Sequence, residues 1–317
     1  MKKQLIAVVL AFSFIASGAA RTESTNAFSF VALGDLPYGA AEKAYAPYRA
    51  LIDRINQSAP AFSIHIGDIK SGSTACSDQE FANQLAHFQR FHGPVVYTPG
   101  DNDWTDCHRL DNGAYDPIER LATLRKQFFP PGRSLGHTAM PVENQPAAMH
   151  AHAQFVENQR WVREGVVFAT LHIVGSNNNL EGRDPAAMQE FFARDAANVA
   201  WIQDTFDWAQ KNAARAVVFA FQADVFDTKS AFEDFPGWSG FRRTVGQTLL
   251  PLAKQWGKPV LVVHGDSHHF RIDQPFSIDK NRLSNVTRLI VPGASDVRAV
   301  RVLVTSEANF QFELLAP

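Results

Sequence analysis

Cysteine is nearly absent from this chain, and what else is missing narrows what it can be. Cys76 and Cys107 are the two cysteines among 317 residues, and neither stands in a CxxC pair. A zinc ribbon or a disulfide-dense scaffold is therefore excluded. Repeats and low-complexity tracts are missing too, which excludes solenoids and linker-like chains. Lys and Arg together number 30 against 32 Asp and Glu, for a formal charge of −2. Such a balance gives no global basic field and no expectation of a nucleic-acid partner. What remains is ordinary globular composition, 45% hydrophobic and 20% charged. That is enough for one large core.

The first segment reads as a signal peptide. Lys2 and Lys3 precede an apolar run from Leu5 to Ile15, and Gly18 and Ala20 are small enough for the −3 and −1 positions of a cleavage site. The run is shorter than the ~20 residues that span a bilayer, so an uncleaved anchor is the weaker alternative. The expectation is a signal peptide over 1–20, a single domain over 21–317, and a periplasmic or secreted protein with no membrane contact after cleavage. Loss of the two lysines takes the formal charge to about −4. Outside the cytoplasm an even cysteine count favours one disulfide, between Cys76 and Cys107.

Strand and helix signals alternate after the leader. Strands are expected at 27–33, 61–66 and 95–98, with helices at 41–57 and 78–91 between them. This β-α-β-α-β run implies a parallel sheet with right-handed crossovers. A helix follows at 117–129, then an irregular stretch at 130–152. Antiparallel strands are expected at 155–161 and 166–174, a long helix at 188–213, and short buried strands at 216–221 and 259–263. The tail, 285–315, reads as three antiparallel strands. The predicted fold class is α/β, two sheets in a sandwich flanked by helices.

Four strands end alike: Gly34-Asp35, Gly67-Asp68, Gly100-Asp101 and Gly265-Asp266. Glycine permits a sharp turn, and ligands of open α/β sheets bind at carboxyl strand ends. One such pair is simply a turn and a helix N-cap. Four at four strand ends predict carboxylates converging at one sheet edge, a site for divalent cations.

The order Gly34-Asp35, Gly67-Asp68-Ile69-Lys70-Ser71-Gly72, Pro99-Gly100-Asp101-Asn102-Asp103 and His264-Gly265-Asp266-Ser267-His268 resembles the calcineurin-like metallophosphoesterases. Their usual signature is D-x-H, G-D-x-x, G-N-H-[DE], a later His and G-H-x-H. The resemblance implies an αββα sandwich and metal-assisted hydrolysis of a phosphate ester. It also implies one metal at Asp35, Asp68 and His268, and a second at Asp68, Asp101, Gln222 and Asp266. The departures are Pro37 for the first His, Asp101 for Asn, Asn102 for the His that assists the leaving group, Gln222 for a strand-end His, and Asp266 for the first His of G-H-x-H. Oxygen donors in place of nitrogen favour Mg, Mn, Ca or Fe over Zn, one or two ions in number.

Further candidates are weaker. Asn102, Lys70 and Arg271 are placed to meet phosphate oxygens, and His264 or His269 to assist the leaving group. His65, His264 and His269 also read as structural histidines, Asn177, Asn178 and Asn179 as residues lining the cleft or as a plain turn, and Trp104 and Tyr38 as walls of the pocket or as packing residues. The reading is an exported phosphatase acting on a small phosphate ester. The alternatives are a metal- or phosphate-ligand-binding protein without catalysis, and a phosphodiesterase or nuclease on the same fold.

Overall fold

The computed structural model describes residues 26–226 and 239–317. The expected signal peptide lies outside the described residues. Strand β1 (Phe28–Leu33) is followed by a helix at Ala41–Ser58, β2 (Ser63–His65), a helix at Asp78–Gln89, β3 (Val95–Tyr97) and a helix at Pro117–Phe128. Next come β4 (Glu143–Asn144), β5 (Gln159–Arg163), β6 (Val166–Thr170), a long helix at Pro185–Lys211 and β7 (Ala216–Ala220). A helix at Leu250–Trp256 leads to β8 (Val260–His264) and β9 (Arg271–Asp273). The chain ends with a small hairpin, β10 (Ser277–Ile278) and β11 (Asn281–Arg282), then β12 (Val286–Ile290), β13 (Ala299–Val304) and β14 (Phe310–Leu315).

Two sheets form the sandwich, ordered β14-β13-β1-β2-β3 and β4-β5-β6-β7-β8-β12-β9. Side-chain alternation explains why both faces of each are apolar. In β1, Phe28, Phe30 and Ala32 pack between the sheets, while Val31 and Leu33 meet the helices at 41–58, 78–89 and 117–128. In β7, Ala216, Val218 and Ala220 face inward, while Val217 and Phe219 meet the helices at 185–211 and 250–256. Aromatic rings fill the middle: Phe30 stacks on Phe62 at 5.5 Å, and Phe62 meets Phe168 edge-on at 4.9 Å.

Three departures from the sequence reading have local causes. The expected strand at 155–161 shifts to β5, and the one at 166–174 narrows to β6. Around them side chains replace ladder bonds: Asn158 Oδ1 accepts from the His172 amide at 2.9 Å, and Thr170 Oγ1 donates to the Glu157 carbonyl at 2.9 Å. The long helix begins three residues early, because Asp184 accepts from the Ala186 and Ala187 amides and Pro185 suits the first turn. The tail is not three antiparallel strands. β13 and β14 pair antiparallel beside β1, but β12 joins the other sheet parallel to β8. Arg288 of β12 forms a two-pronged bond to Asp273 of β9, at 2.8 and 2.7 Å, which anchors it there.

Cys76 and Cys107 form the expected disulfide, with Cα atoms 5.8 Å apart. It joins the loop after β2 to the loop after β3. We expect the Cys76→Ser/Cys107→Ser variant to lose roughly 2–4 kcal/mol of stability, from a closed loop 31 residues long. Urea denaturation measures this, and an unchanged midpoint would count against a structural role for the bridge.

Candidate metal centre

Because β1, β2 and β3 run parallel and in register, their following loops emerge side by side. They carry Asp35, Asp68 and Asp101. Asp266 follows β8 and so comes from the facing sheet, a correction to the expectation of one sheet edge. The site lies where the carboxyl ends of two sheets face each other.

Asp35, Asp68 and His268 each offer one ligand atom, all within 4.8 Å of one another. His268 Nε2 stands 3.5 Å from Asp35 Oδ1. The Asp266 amide donates to both Asp35 oxygens at 3.2 Å, tying the β8 loop to the β1 loop. Asp101 and Asp266 meet over Gly175. A methyl group there would lie 2.6 Å from Asp101 Oδ2 and 2.8 Å from Asp266 Oδ1, so the two carboxylates converge on bare backbone. Left-handed backbone recurs through the cluster, at Asp35 (φ 51°), Asp68 (φ 53°), Ser176 (φ 48°), Asp266 (φ 70°) and His268 (φ 60°). Each such residue costs on the order of 1 kcal/mol, and strain gathered at one place marks a functional site.

Neighbouring groups fix these carboxylates. Asp68 Oδ2 accepts from the Tyr38 hydroxyl at 2.5 Å and from Asn102 Nδ2 at 2.7 Å. Its other oxygen accepts from the Asn102 amide at 3.1 Å. Asp103 lies beneath, accepting from the amides of Asp68, Ile69 and Gly100 and from the Tyr97 hydroxyl, at 2.7–3.0 Å. One buried carboxylate thus locks the Asp68 and Asp101 loops together. Gln222 reaches the cluster as a hydrogen-bond partner: Nε2 donates to Asp101 Oδ1 at 3.0 Å and Oε1 accepts from the Gly175 amide at 2.6 Å. The second lone pair of Oε1 is the one left for a ligand role.

Burial first, and like charge second, sets the electrostatics. Asp68 is pushed well above the usual carboxylate range by burial, with Asp101 and Asp35 adding repulsion. Asp266 is pushed well up by burial and Asp101, and Asp35 is raised by burial against the help of His268. Burial opposes the His268 imidazolium, yet its hydrogen bond to Asp35 and the charges of Asp35 and Asp101 raise its pKa. Among the described residues the cluster thus sets four carboxylates against one imidazole, an excess of acidic groups. Four carboxylates and one imidazole are oxygen-rich donors that suit a hard divalent cation, so the residues present fit a metal.

Several sequence candidates fall elsewhere. Lys70 is 1% exposed and lends its Nζ to the Ser71 carbonyl at 3.3 Å; it lies under the cluster, out of a substrate's reach. Arg271 is exposed on β9. His264 is fully buried, stacked on Phe221 at 5.9 Å, and burial lowers it to about 4, which unfits it as a proton donor at neutral pH. His269 is exposed, bonded to the Ser267 carbonyl. His65 is buried against the Leu36 carbonyl, and burial holds it at about 3. Trp104 is fully buried under the Arg194 guanidinium and walls nothing. Asn178 is buried too, accepting from the Val174 amide and Arg194 and donating to the Gly240 carbonyl.

Ser176 and Asp106 were not foreseen. Ser176 Oγ lies 2.8 Å from Asp101 Oδ2 and 3.0 Å from Asp106 Oδ1. Asp106 is pushed up to about 6 by burial and Asp101. The signal available was Gly175-Ser176, a further glycine and polar residue just beyond the apolar run of β6.

No family model matches the sequence, and no curated protein sequence does. Solved structures match it over most of its length. GAP50, the anchor in the inner membrane complex of Plasmodium, aligns at TM-score 0.55 and 11% identity over 92% of this chain and 85% of its own. A dimetal phosphatase from Danio rerio aligns at TM-score 0.55 and 10% identity over 91% of this chain and 98% of its own. A purple acid phosphatase from yellow lupin (Lupinus luteus) seeds aligns at TM-score 0.53 and 14% identity over 92% of this chain, about half of that longer protein (52%). At these identities the likeness is one of fold. The chain has the calcineurin-like metallophosphoesterase fold.

Proposed function

We propose that this protein is an exported, metal-dependent hydrolase of small phosphate esters. One observation carries the reading: Asp35, Asp68 and His268 bring ligand atoms within 4.8 Å of one another on a fold shared with phosphatases. Asp101 and Asp266 stand beside them as further ligands. A bound divalent cation supplies Lewis-acid polarisation of a phosphoryl oxygen. The chain's own residues do the rest. Asn102 and Tyr38, 2.8 Å apart, both donate to Asp68 and hold that carboxylate in place. Asn102 cannot donate a proton to a leaving group, since an amide does not titrate at accessible pH. His264 is too deeply buried to take over that role.

Phosphomonoester hydrolysis should therefore depend on the leaving group. We expect measurable turnover of nitrophenyl phosphate with Mn²⁺ or Mg²⁺, and alkyl phosphates slower by the ~10²–10⁴-fold that general acid catalysis usually supplies. Equal rates with chemistry rate-limiting would contradict this, and no turnover with any divalent cation would refute the catalytic reading. A second reading is a non-catalytic metal-binding protein. Asn102 and Gln222 at positions where the usual signature has histidine favour it, as does a fold neighbour described as an anchor. Export is supported by the basic and apolar leader and by the disulfide. Among the described residues no helix is long and apolar enough to cross a membrane. A mature chain beginning near Arg21 by mass spectrometry is the expected result, and an intact Met1 is the opposing one.

A further inference from the structure

A groove of about 810 Å³ opens beside the carboxylate cluster. Its inner end is walled by Ser176 and Asp106, the two side chains that separate it from Asp101. Its outer half is walled by Tyr115, Ile118 and Ala186, from the loop before the helix at 117–128 and from the first turns of that helix and the helix at 185–211. These walls belong to segments far apart in sequence, and the fold brings them to one flank of the cluster.

Carboxylates outnumber cations along the groove: Asp106, Asp116, Glu181 and Asp184 stand against Arg109 and Arg183, with His108 beside them. Both arginines are engaged, Arg109 with Asp106 at 2.8 Å and Arg183 with Glu181 at 2.9 Å. Asp116 accepts from the Ile118 amide at 2.8 Å and Asp184 from the Ala186 amide at 2.9 Å, each capping its own helix. A ligand seated there meets more carboxylates than cations. It meets an aromatic ring, a branched aliphatic side chain and a methyl group. The volume is in the range of sites for organic ligands and far exceeds what a phosphate ion fills.

We propose that this groove binds the alcohol portion of the phosphate ester, and that this portion carries no negative charge of its own and is partly aromatic or otherwise apolar. The inference rests on the phosphate-ester reading above and narrows it to a substrate class. The phosphoryl group would lie at the carboxylate cluster, with Ser176 at the junction. A second anionic group, as in a nucleotide or a polyphosphate, would gain nothing from walls whose cations are spent on neighbouring carboxylates.

Equilibrium binding to the Mn²⁺-loaded protein tests this without turnover. The probes are inorganic phosphate and 2-naphthylmethylphosphonate, which is not hydrolysed. Wild type should bind the naphthyl probe about tenfold more tightly than phosphate, the gain expected from burying one ring face. Ala186→Trp, at an exposed position, fills the outer groove and should erase that gain while leaving phosphate affinity within about twofold. Ile118→Ser, which adds no bulk, should reduce the gain in the same direction. A naphthyl probe bound no more tightly than phosphate by wild type, or bound unchanged by both variants, overturns the groove assignment alone. A Mn²⁺-loaded wild type that binds neither probe overturns the phosphate-ester reading, and the groove assignment with it.

Discussion

Asp35→Asn is expected to reduce divalent-cation affinity by at least the 10–100-fold that even changes around a metal ligand cost. It should also reverse sign between two conditions. Asp35 is buried, and its folded pKa is raised above the ordinary carboxylate value. A raised carboxylate favours folding fully below its unfolded pKa and loses that contribution as pH rises through its folded pKa. Without cations, ionisation of Asp35 therefore opposes folding, and asparagine removes that cost. The amide oxygen can still accept from the Asp266 amide. The chelated variant should accordingly melt no lower than chelated wild type. With Mn²⁺ present, wild type should gain melting temperature and the variant should not. The cation-dependent gain in wild type should also shrink as pH falls, because the raised pKa values of Asp35, Asp68 and Asp266 let protons compete with the cation. An equal Mn²⁺ shift in both proteins would remove Asp35 from the centre.

Arg125→Ala should destabilise the protein by about 3–5 kcal/mol at pH 7, the usual cost of stripping one partner from a buried ion pair. Arg125 holds Glu157 through two bonds, at 3.0 and 2.6 Å, and Glu157 is fully buried. Burial would raise Glu157, but Arg125 and His172 outweigh it and hold the carboxyl far below its ordinary range. His172 Nδ1 lies 2.8 Å from the same carboxylate, and burial keeps the ring at about 4. A depressed carboxylate contributes stability that is full above its unfolded pKa and fades as pH falls below it. The difference between wild type and variant should therefore narrow below about pH 4.5. Adding Glu157→Gln should recover part of the loss, since both charges are then gone. Urea denaturation at pH 7 and pH 4 reads all of this, and a loss under about 1 kcal/mol at pH 7 would show that the pair is not what ties the segment before β5 to the helix at 117–128.

The carboxylate cluster was legible because its signal is local. Each Gly-Asp sits directly behind a short apolar strand, and parallel strands in register put their carboxyl ends together. Sheet membership was not legible. Nothing in Val260–His264 says which of two sheets it enters, since a fully buried strand looks the same in either. The same ambiguity misplaced Val286–Ile290, an apolar run interrupted by Arg288 whose partner Asp273 lies in a strand too short to foresee. Ser176 escaped for a different reason. Its partners Asp101 and Asp106 are 75 and 70 residues away, and only the packing of the two sheets brings them together. Lys70 was misjudged because its neighbours in sequence are loop-like, whereas its side chain runs inward beneath Asp68. Asp103 stands at the acidic position of the G-N-H-[DE] signature, but its role, accepting from four donors of two loops and a strand, follows only from the packing.

Cation binding at Asp35, Asp68, Asp101, Asp266 and His268 is the claim on which the functional reading depends. Carboxylates with raised pKa values that outnumber their one imidazole partner, His268, among the described residues call for protons or a metal. The direct measurement is calorimetric titration of the chelator-treated protein at pH 7 with Mn²⁺, Mg²⁺, Ca²⁺ and Zn²⁺ in turn. The expected result is saturable binding of at least one of them, one or two ions per chain, with protons released on binding. A protein that binds none of the four, and whose melting temperature at pH 7 is the same with and without them, would contradict it.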